Sequence, residues 1–184
     1  MNILFKKSGL HNHFFYIVKY KYFVFLLRYL WYNANMKIVV ASDSHGNKNL
    51  VDFLFSNEKF DCFVFCGDGI DDFTNYFDDS RLEIVSGNCD WFSNFFDEKT
   101  LVLCNRKIFV THGHKYFVKN SLEKLAKVAK KIGAEIVLYG HTHKQYIKYI
   151  DGVYLVNPGT LKKGQYVVFE LQENGVPIIE QKAI

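Results

Sequence analysis

MKIVVASDSHG, residues 36–46, decides how this chain is read. Its first half, Lys37 to Ser42, is apolar and β-branched, the composition of a buried strand. Its second half breaks off in Asp43, His45 and Gly46. Two ligand-type side chains and a flexible residue stand where the strand must end. That unit reads as the start of an α/β domain.

The chain beyond it repeats the alternation. Leu50, Val51, Leu54 and Phe55 form a helical stripe between Asn47 and Glu58. Residues 61–66 (DCFVFC) read as a second buried strand, a short helical or irregular piece follows near 71–79, and residues 82–85 (LEIV) read as a third strand. Strand, helix and strand in this order predict a parallel core. Residues 99–104 and 106–111 read as two strands joined by a tight turn at Asn105. Asn120 and Glu123 have the spacing of a capping box. Leu122, Leu125, Ala126, Ala129 and Ile132 give that helix its apolar face, with Gly133 just past its end. Residues 135–139 are another buried strand. Asp151-Gly152 and Asn174-Gly175 predict two-residue hairpin turns in an antiparallel C-terminal part. The expected architecture is one domain, a β-sandwich flanked by helices, α/β or α+β in class.

Composition shifts at Met36. Residues 1–35 carry five basic side chains and no acid, whereas the other 149 residues hold 18 basic and 19 acidic ones. The body, residues 36–184, is therefore near neutral and lacks the basic field that long nucleic acids require. No aromatic platform for a nucleic-acid strand is credited to it either. The first 35 residues are aromatic and basic. They are expected to be either an extension created by an early start site or a membrane-associating segment, because Lys19, Lys21 and Arg28 interrupt any spanning run. The cysteines form no C-x-x-C pair. Cys62 and Cys66 read as buried apolar residues on one strand face, and a reducing cytosol is expected.

The chemistry lies in where the histidines and acids fall. The body has five histidines: His45, His112, His114, His141 and His143. All lie in three loops that follow apolar runs. Asp43 follows the first strand, Asp68 the second, and Asn88 and Asp90 the third. Loops beyond the carboxyl ends of strands converge on one crevice, so these residues are expected to meet. Seven donors form the candidate ligand set: Asp43, His45, Asp68, Asn88, His112, His141 and His143. Mixed oxygen and imidazole donors suit Mn2+, Fe2+, Ni2+, Co2+ or Zn2+. Seven are too many for one ion and suit two ions that share a carboxylate. Alone, Asp43-x-His45, Gly67-Asp68 or His141-x-His143 is an ordinary turn or strand end. Their order and placement together carry the signal.

As a set, the motifs resemble the calcineurin-like metallophosphoesterase superfamily. Asp43-x-His45, Gly67-Asp68, Gly87-Asn88-x-Asp90, Thr111-His112-Gly113-His114 and Gly140-His141-x-His143 stand in that family's order. Asn157-Pro158-Gly159-Thr160 looks like the corresponding element of its small YfcE-type phosphodiesterase branch. The resemblance covers about residues 36–182. It implies a phosphoesterase with two divalent ions, Mn2+ first and Mg2+ among the alternatives. Asp43, His45, Asp68 and His143 would hold one ion, and Asp68, Asn88, His112 and His141 the other. A hydroxide between the ions would attack phosphorus, with Asp90 orienting a neighbouring ligand. Cys89 stands where many members have a histidine that protonates the leaving group. That leaves the acid unassigned, with His114 or metal-bound water as alternatives. The expected partner is a small phosphate ester, most simply a diester, with a homodimer as an open alternative. The rivals are a monoesterase or nuclease on the same fold, and a non-catalytic protein-binding scaffold like the retromer subunit related to this family.

Overall fold

Strand β1 (Asn35–Ala41) alternates its apolar side chains between two cores. Ile38 and Val40 point one way, and Val39 and Ala41 the other, all essentially without exposure. Only a strand covered on both faces needs such a sequence. The computed structural model describes residues 35–184. Expectations about residues 1–35 therefore lie, Asn35 apart, outside the described residues.

Helix α1 (Lys48–Asn57) follows β1, then β2 (Cys62–Phe65), a 3-10 turn over Ile70–Tyr76 and β3 (Leu82–Ile84). β1, β2 and β3 run parallel. A second run comprises β4 (Glu98–Leu103), β5 (Arg106–Thr111), a 3-10 turn at His114–Tyr116, α2 (Glu123–Ile132) and β6 (Ile136–Tyr139). β7 (Gln145–Ile150), β8 (Val153–Pro158), β9 (Gln165–Gln172) and β10 (Ile178–Ala183) complete the chain. The strands form two five-stranded sheets, ordered β10-β9-β1-β2-β3 and β4-β5-β6-β8-β7. The parallel centre of the second sheet is β5, β6 and β8.

Three apolar clusters stack these layers. The middle one joins the sheets through Ile38, Val40, Val64, Ile108, Leu138 and Phe169. Cys62 and Cys66 belong to it, on one strand face and buried as the alternation requires. Burial above all pushes the Cys62 thiol up to about 12, so it behaves as an apolar group. The outer face of the first sheet packs on α1 through Val51, Leu54, Phe63 and Phe73. That of the second packs on α2 through Leu125, Ala126, Ala129 and Val137. The result is the expected sandwich flanked by helices.

Two local expectations are corrected. Asn120 does not cap α2: the residue before the helix is Leu122, and the Glu123 N–H donates to Ser121 Oγ at 3.1 Å. A serine one residue closer outcompetes the capping box. Asn174-Gly175 is not a two-residue turn, since five residues separate β9 from β10. Asp151-Gly152 does form one, with φ of 49° and 89°. So do Cys104 and Asn105, at 48° and 56°. Among the described residues no helix is long and apolar enough to cross a membrane.

Leu138 is 1% exposed between the sheets, whereas Val102 is 65% exposed on an edge strand. Leu138→Ala should lower the unfolding free energy by about 2–5 kcal/mol in urea denaturation. Val102→Ala should change it by less than about 1 kcal/mol. Equal effects would contradict this layering.

Candidate metal centre

Parallel strands bring their carboxyl ends to one edge, and the ligand-type residues sit there. Residues 42–46 follow β1, 66–69 follow β2, 86–90 follow β3, 112–114 follow β5 and 140–143 follow β6. The backbone turns unusually sharply at the donors themselves. Asp43 (φ 56°), His45 (46°), Asp68 (64°), His141 (68°) and His143 (57°) all occupy the left-handed region. For residues with a Cβ this costs about 1–2 kcal/mol each and persists only where surrounding contacts enforce it. Gly87 and Gly140 permit the close approach. A Cβ on Gly87 would meet Asp68 Oδ1 at 2.1 Å, and one on Gly140 would meet Ser42 Oγ at 1.8 Å.

The donors gather in two groups. In the first, His143 Nε2 lies 3.1 Å and His45 Nε2 3.8 Å from Asp43 Oδ1, and the two ring nitrogens are 3.2 Å apart. In the second, His112 Nε2 lies 3.3 Å from Asp68 Oδ2 and 3.1 Å from His141 Nδ1. Asp68 links them, because it also groups with His45 and Cys89 within 4.8 Å. Donor atoms sharing one first-row ion at about 2 Å sit roughly 3–3.5 Å from one another, the spacing seen here.

Protonation supports the same reading. His112 Nδ1 lies 2.8 Å from the Cys66 carbonyl oxygen. A carbonyl only accepts, so Nδ1 carries a proton and Nε2 faces the cluster. Burial works against the imidazolium of His112, but the Asp68 hydrogen bond and the Asp43 charge outweigh it and raise its pKa. Burial likewise opposes the Asp68 carboxylate, yet His112 holds that carboxyl far below its usual range. For Asp43 burial wins and the pKa is raised. Burial, then the charge on His112, pushes His141 down to about 4. Asp43 Oδ2 accepts the His141 N–H at 3.0 Å. Its Oδ1 is buried and has no hydrogen-bond donor, since the nearby ring of His143 lacks the required alignment. An orphaned, fully buried carboxylate oxygen beside two imidazole nitrogens fits a cation.

Asp90 does not face this cluster. Its carboxylate accepts the N–H groups of Asp68, Gly69, Ile70 and Gly87 at 2.7–3.0 Å, tying the β2 loop to the β3 loop. The Cys89 N–H donates to Asp68 Oδ1 at 2.7 Å. Asn88 is exposed, and its amide contacts Cys89 Sγ at 3.3 Å rather than the clustered donors. His114 stands beside His112, ring centres 5.6 Å apart, with a buried Nδ1 that has no partner.

Two positioning residues escaped the sequence reading of roles. Asn157 Nδ2 donates to the Gly140 carbonyl at 2.7 Å and Thr142 Oγ1 at 3.1 Å, fixing the loop of His141 and His143. Thr160 Oγ1 donates to the Asp43 carbonyl at 2.7 Å. The signal was Asn157 at a strand end before Pro158-Gly159, where a buried amide is needed to hold a turn. The sequence reading also credited no aromatic platform. The structure leaves Trp91, Phe92 and Phe96 78%, 101% and 77% exposed just after Asp90, a cluster to which the sequence reading gave no role. Period-based reading assigns such residues to a core.

Known proteins share both the motifs and the architecture. The calcineurin-like phosphoesterase superfamily domain matches residues 36–174. YsnB of Bacillus subtilis, named as a metallophosphoesterase, is 31% identical over 129 residues, 69% of this chain and 76% of that protein. The phosphodiesterase MJ0936 of Methanocaldococcus jannaschii is 28% identical over 145 residues, 67% of this chain and 83% of that one. A single mutant of Vps29 from Entamoeba histolytica shares the fold, with a TM-score of 0.65 at 20% identity over 81% of this chain and 99% of that one. A domain match of that extent and a relative of that identity leave one assignment: the chain belongs to the calcineurin-like phosphoesterase superfamily.

Proposed function

We propose that the protein hydrolyses a small phosphodiester with two divalent ions, Mn2+ first among them. Asp43, His45 and His143 would hold one and His112 and His141 the other, with Asp68 between. The observation that carries this reading is the pair of donor groups joined through Asp68, each able to accept an ion. Such ions, when bound, supply a hydroxide at neutral pH and offset charge on the phosphoryl oxygens. The chain's own residues orient the donors. Cys66 sets the ring of His112, Asp90 sets the Asp68 loop, and Asn157 sets the loop of His141 and His143. Asn88 would join the second ion after a side-chain rotation, since nothing but Cys89 holds its amide.

Proton supply to the leaving group is the weak point of the site. Burial, then the charge on His112, lowers the pKa of His114, so little imidazolium exists at pH 7. Burial, then the Asp68 hydrogen bond, raises the Cys89 thiol to about 11. A thiol is a poor acid for an alkoxide. Substrates with acidic leaving groups fit best. The near-neutral body and the small size of the domain favour a small ester over long nucleic acid, in a cytosolic setting.

A second reading, a protein-binding scaffold, is favoured by one observation: the exposed aromatic residues at 91–96. The complete donor set weighs against it. A scaffold would bind ions without turnover.

Three measurements test the reading. With Mn2+, the wild type should hydrolyse bis(p-nitrophenyl) phosphate, and Asp68→Asn should lose at least about 100-fold in kcat. Equal rates in the two proteins would end the catalytic proposal. The pH profile of His114→Ala should lack the alkaline limb of the wild type if His114 donates the proton, because a general acid is lost as it deprotonates, and an unchanged profile removes it from that role. His112 has a raised pKa, so it is protonated in the ion-free protein, and an arriving ion must displace that proton. Ion affinity should therefore rise with pH. Calorimetry in buffers of different ionisation enthalpy should report proton release, and none would contradict the ligand assignment of His112.

A further inference from the structure

Lys119, Lys144 and Lys148 line one groove of about 680 Å³. None of their ammonium groups has an ion-pair or hydrogen-bond partner among the described residues. Outside the groove, Lys37 forms an ion pair with Glu58, Lys99 with Glu83 and Lys115 with Asp97. Glu123 is the only acid among the lining residues. In a body with 18 basic and 19 acidic residues, this is a local and uncompensated positive field.

Its position gives that field a use. Thr142, between His141 and His143, is part of the same lining, so the groove adjoins the loop that carries those two donors. The charge of Lys119 acts on the ring of His141. The walls are not purely ionic, for Tyr146 presents a ring that is 44% exposed. A cavity of this size takes a group as large as one nucleotide, with a ring against the aromatic wall and an anion against the ammonium groups.

We propose that this groove is an anion subsite, and that the ester cleaved at the metal centre is of the nucleotide class and carries a second phosphate. This rests on the phosphoesterase reading above and adds the identity of the substrate's far end. The three lysines hold the second phosphate while one ester bond is presented to the centre, so the subsite acts on KM before kcat.

The test uses two chromogenic substrates that differ in one group: thymidine 5′-(p-nitrophenyl phosphate) and the same ester with a 3′-phosphate. With the Mn2+-loaded protein, the 3′-phosphorylated ester should show a KM at least about fivefold lower, an advantage that shrinks as salt is added. Lys119→Ala combined with Lys148→Ala should erase the difference. Both lysines are exposed, and circular dichroism should show the double variant folded. Calorimetric titration of thymidine 3′,5′-bisphosphate against thymidine 5′-monophosphate gives a second readout that needs no turnover. Equal KM values with equal calorimetric affinities would overturn the subsite and leave the phosphoesterase reading standing. So would a preference that survives in the double variant. If neither ester is hydrolysed, the phosphoesterase reading falls. Calorimetry then decides the groove alone: a bisphosphate preference lost in the variant supports it, and no preference overturns it.

Discussion

One carboxylate sets the terms for everything at the strand ends. Asp43 is 0% exposed. One of its oxygens takes a backbone N–H from His141, and the other has no hydrogen-bond donor. A buried carboxylate oxygen that has only the ring nitrogens of His143 and His45 nearby, and no hydrogen-bond donor, favours a cation or a proton there. The backbone around it is anchored accordingly. Thr160 Oγ1 and the Lys162 N–H both reach the Asp43 carbonyl, and the Leu161 N–H reaches Ser42. The segment after β8, in one sheet, thereby clamps the end of β1 in the other. The two sheets are joined by apolar contacts between their faces and by polar contacts at this edge.

Local strain is the counterpart of that convergence. Five of the clustered donors sit at positive φ without being glycine. The strain persists because hydrogen bonds from outside the donor set over-determine the loops. Asp90 alone binds four N–H groups on two loops. Asn157 does the same service for the loop after β6. Donor geometry is thus carried by backbone rather than by flexible side chains, which is how a site is held ready before any ligand arrives.

Much of this was legible in the order of residues. Buried strands announce themselves as apolar runs, and a ligand-type residue directly after such a run lands on a shared edge in a parallel sheet. That logic put Asp43, His45, Asp68, His112, His141 and His143 at one edge, but did not divide them into two groups. It could not say that Asp90 faces the backbone instead of the cluster, because turn side chains choose partners in three dimensions. It missed Ser121 as the partner of the α2 start, since two competing oxygens lie one residue apart. It placed no weight on Trp91, Phe92 and Phe96, because hydrophobicity in a sequence carries no sign for inside or outside. The five-residue loop holding Asn174-Gly175 shows the same limit: a turn-prone dipeptide reports flexibility, not loop length.

The two donor groups differ in how they tolerate being without ions. Asp68 and His112 neutralise one another, the carboxyl driven down and the imidazole driven up. Asp43 gains no such settlement: burial still raises its pKa against the pull of His112 and His143. A cation held beside Asp43 would relieve an existing deficit, whereas one held beside Asp68 would replace the proton of a formed pair. The group around Asp43 is therefore the natural first seat. A cation held there would disfavour the His112 imidazolium. Asp68 stands between the two donor groups, so the charge held in one bears on the other through its carboxylate.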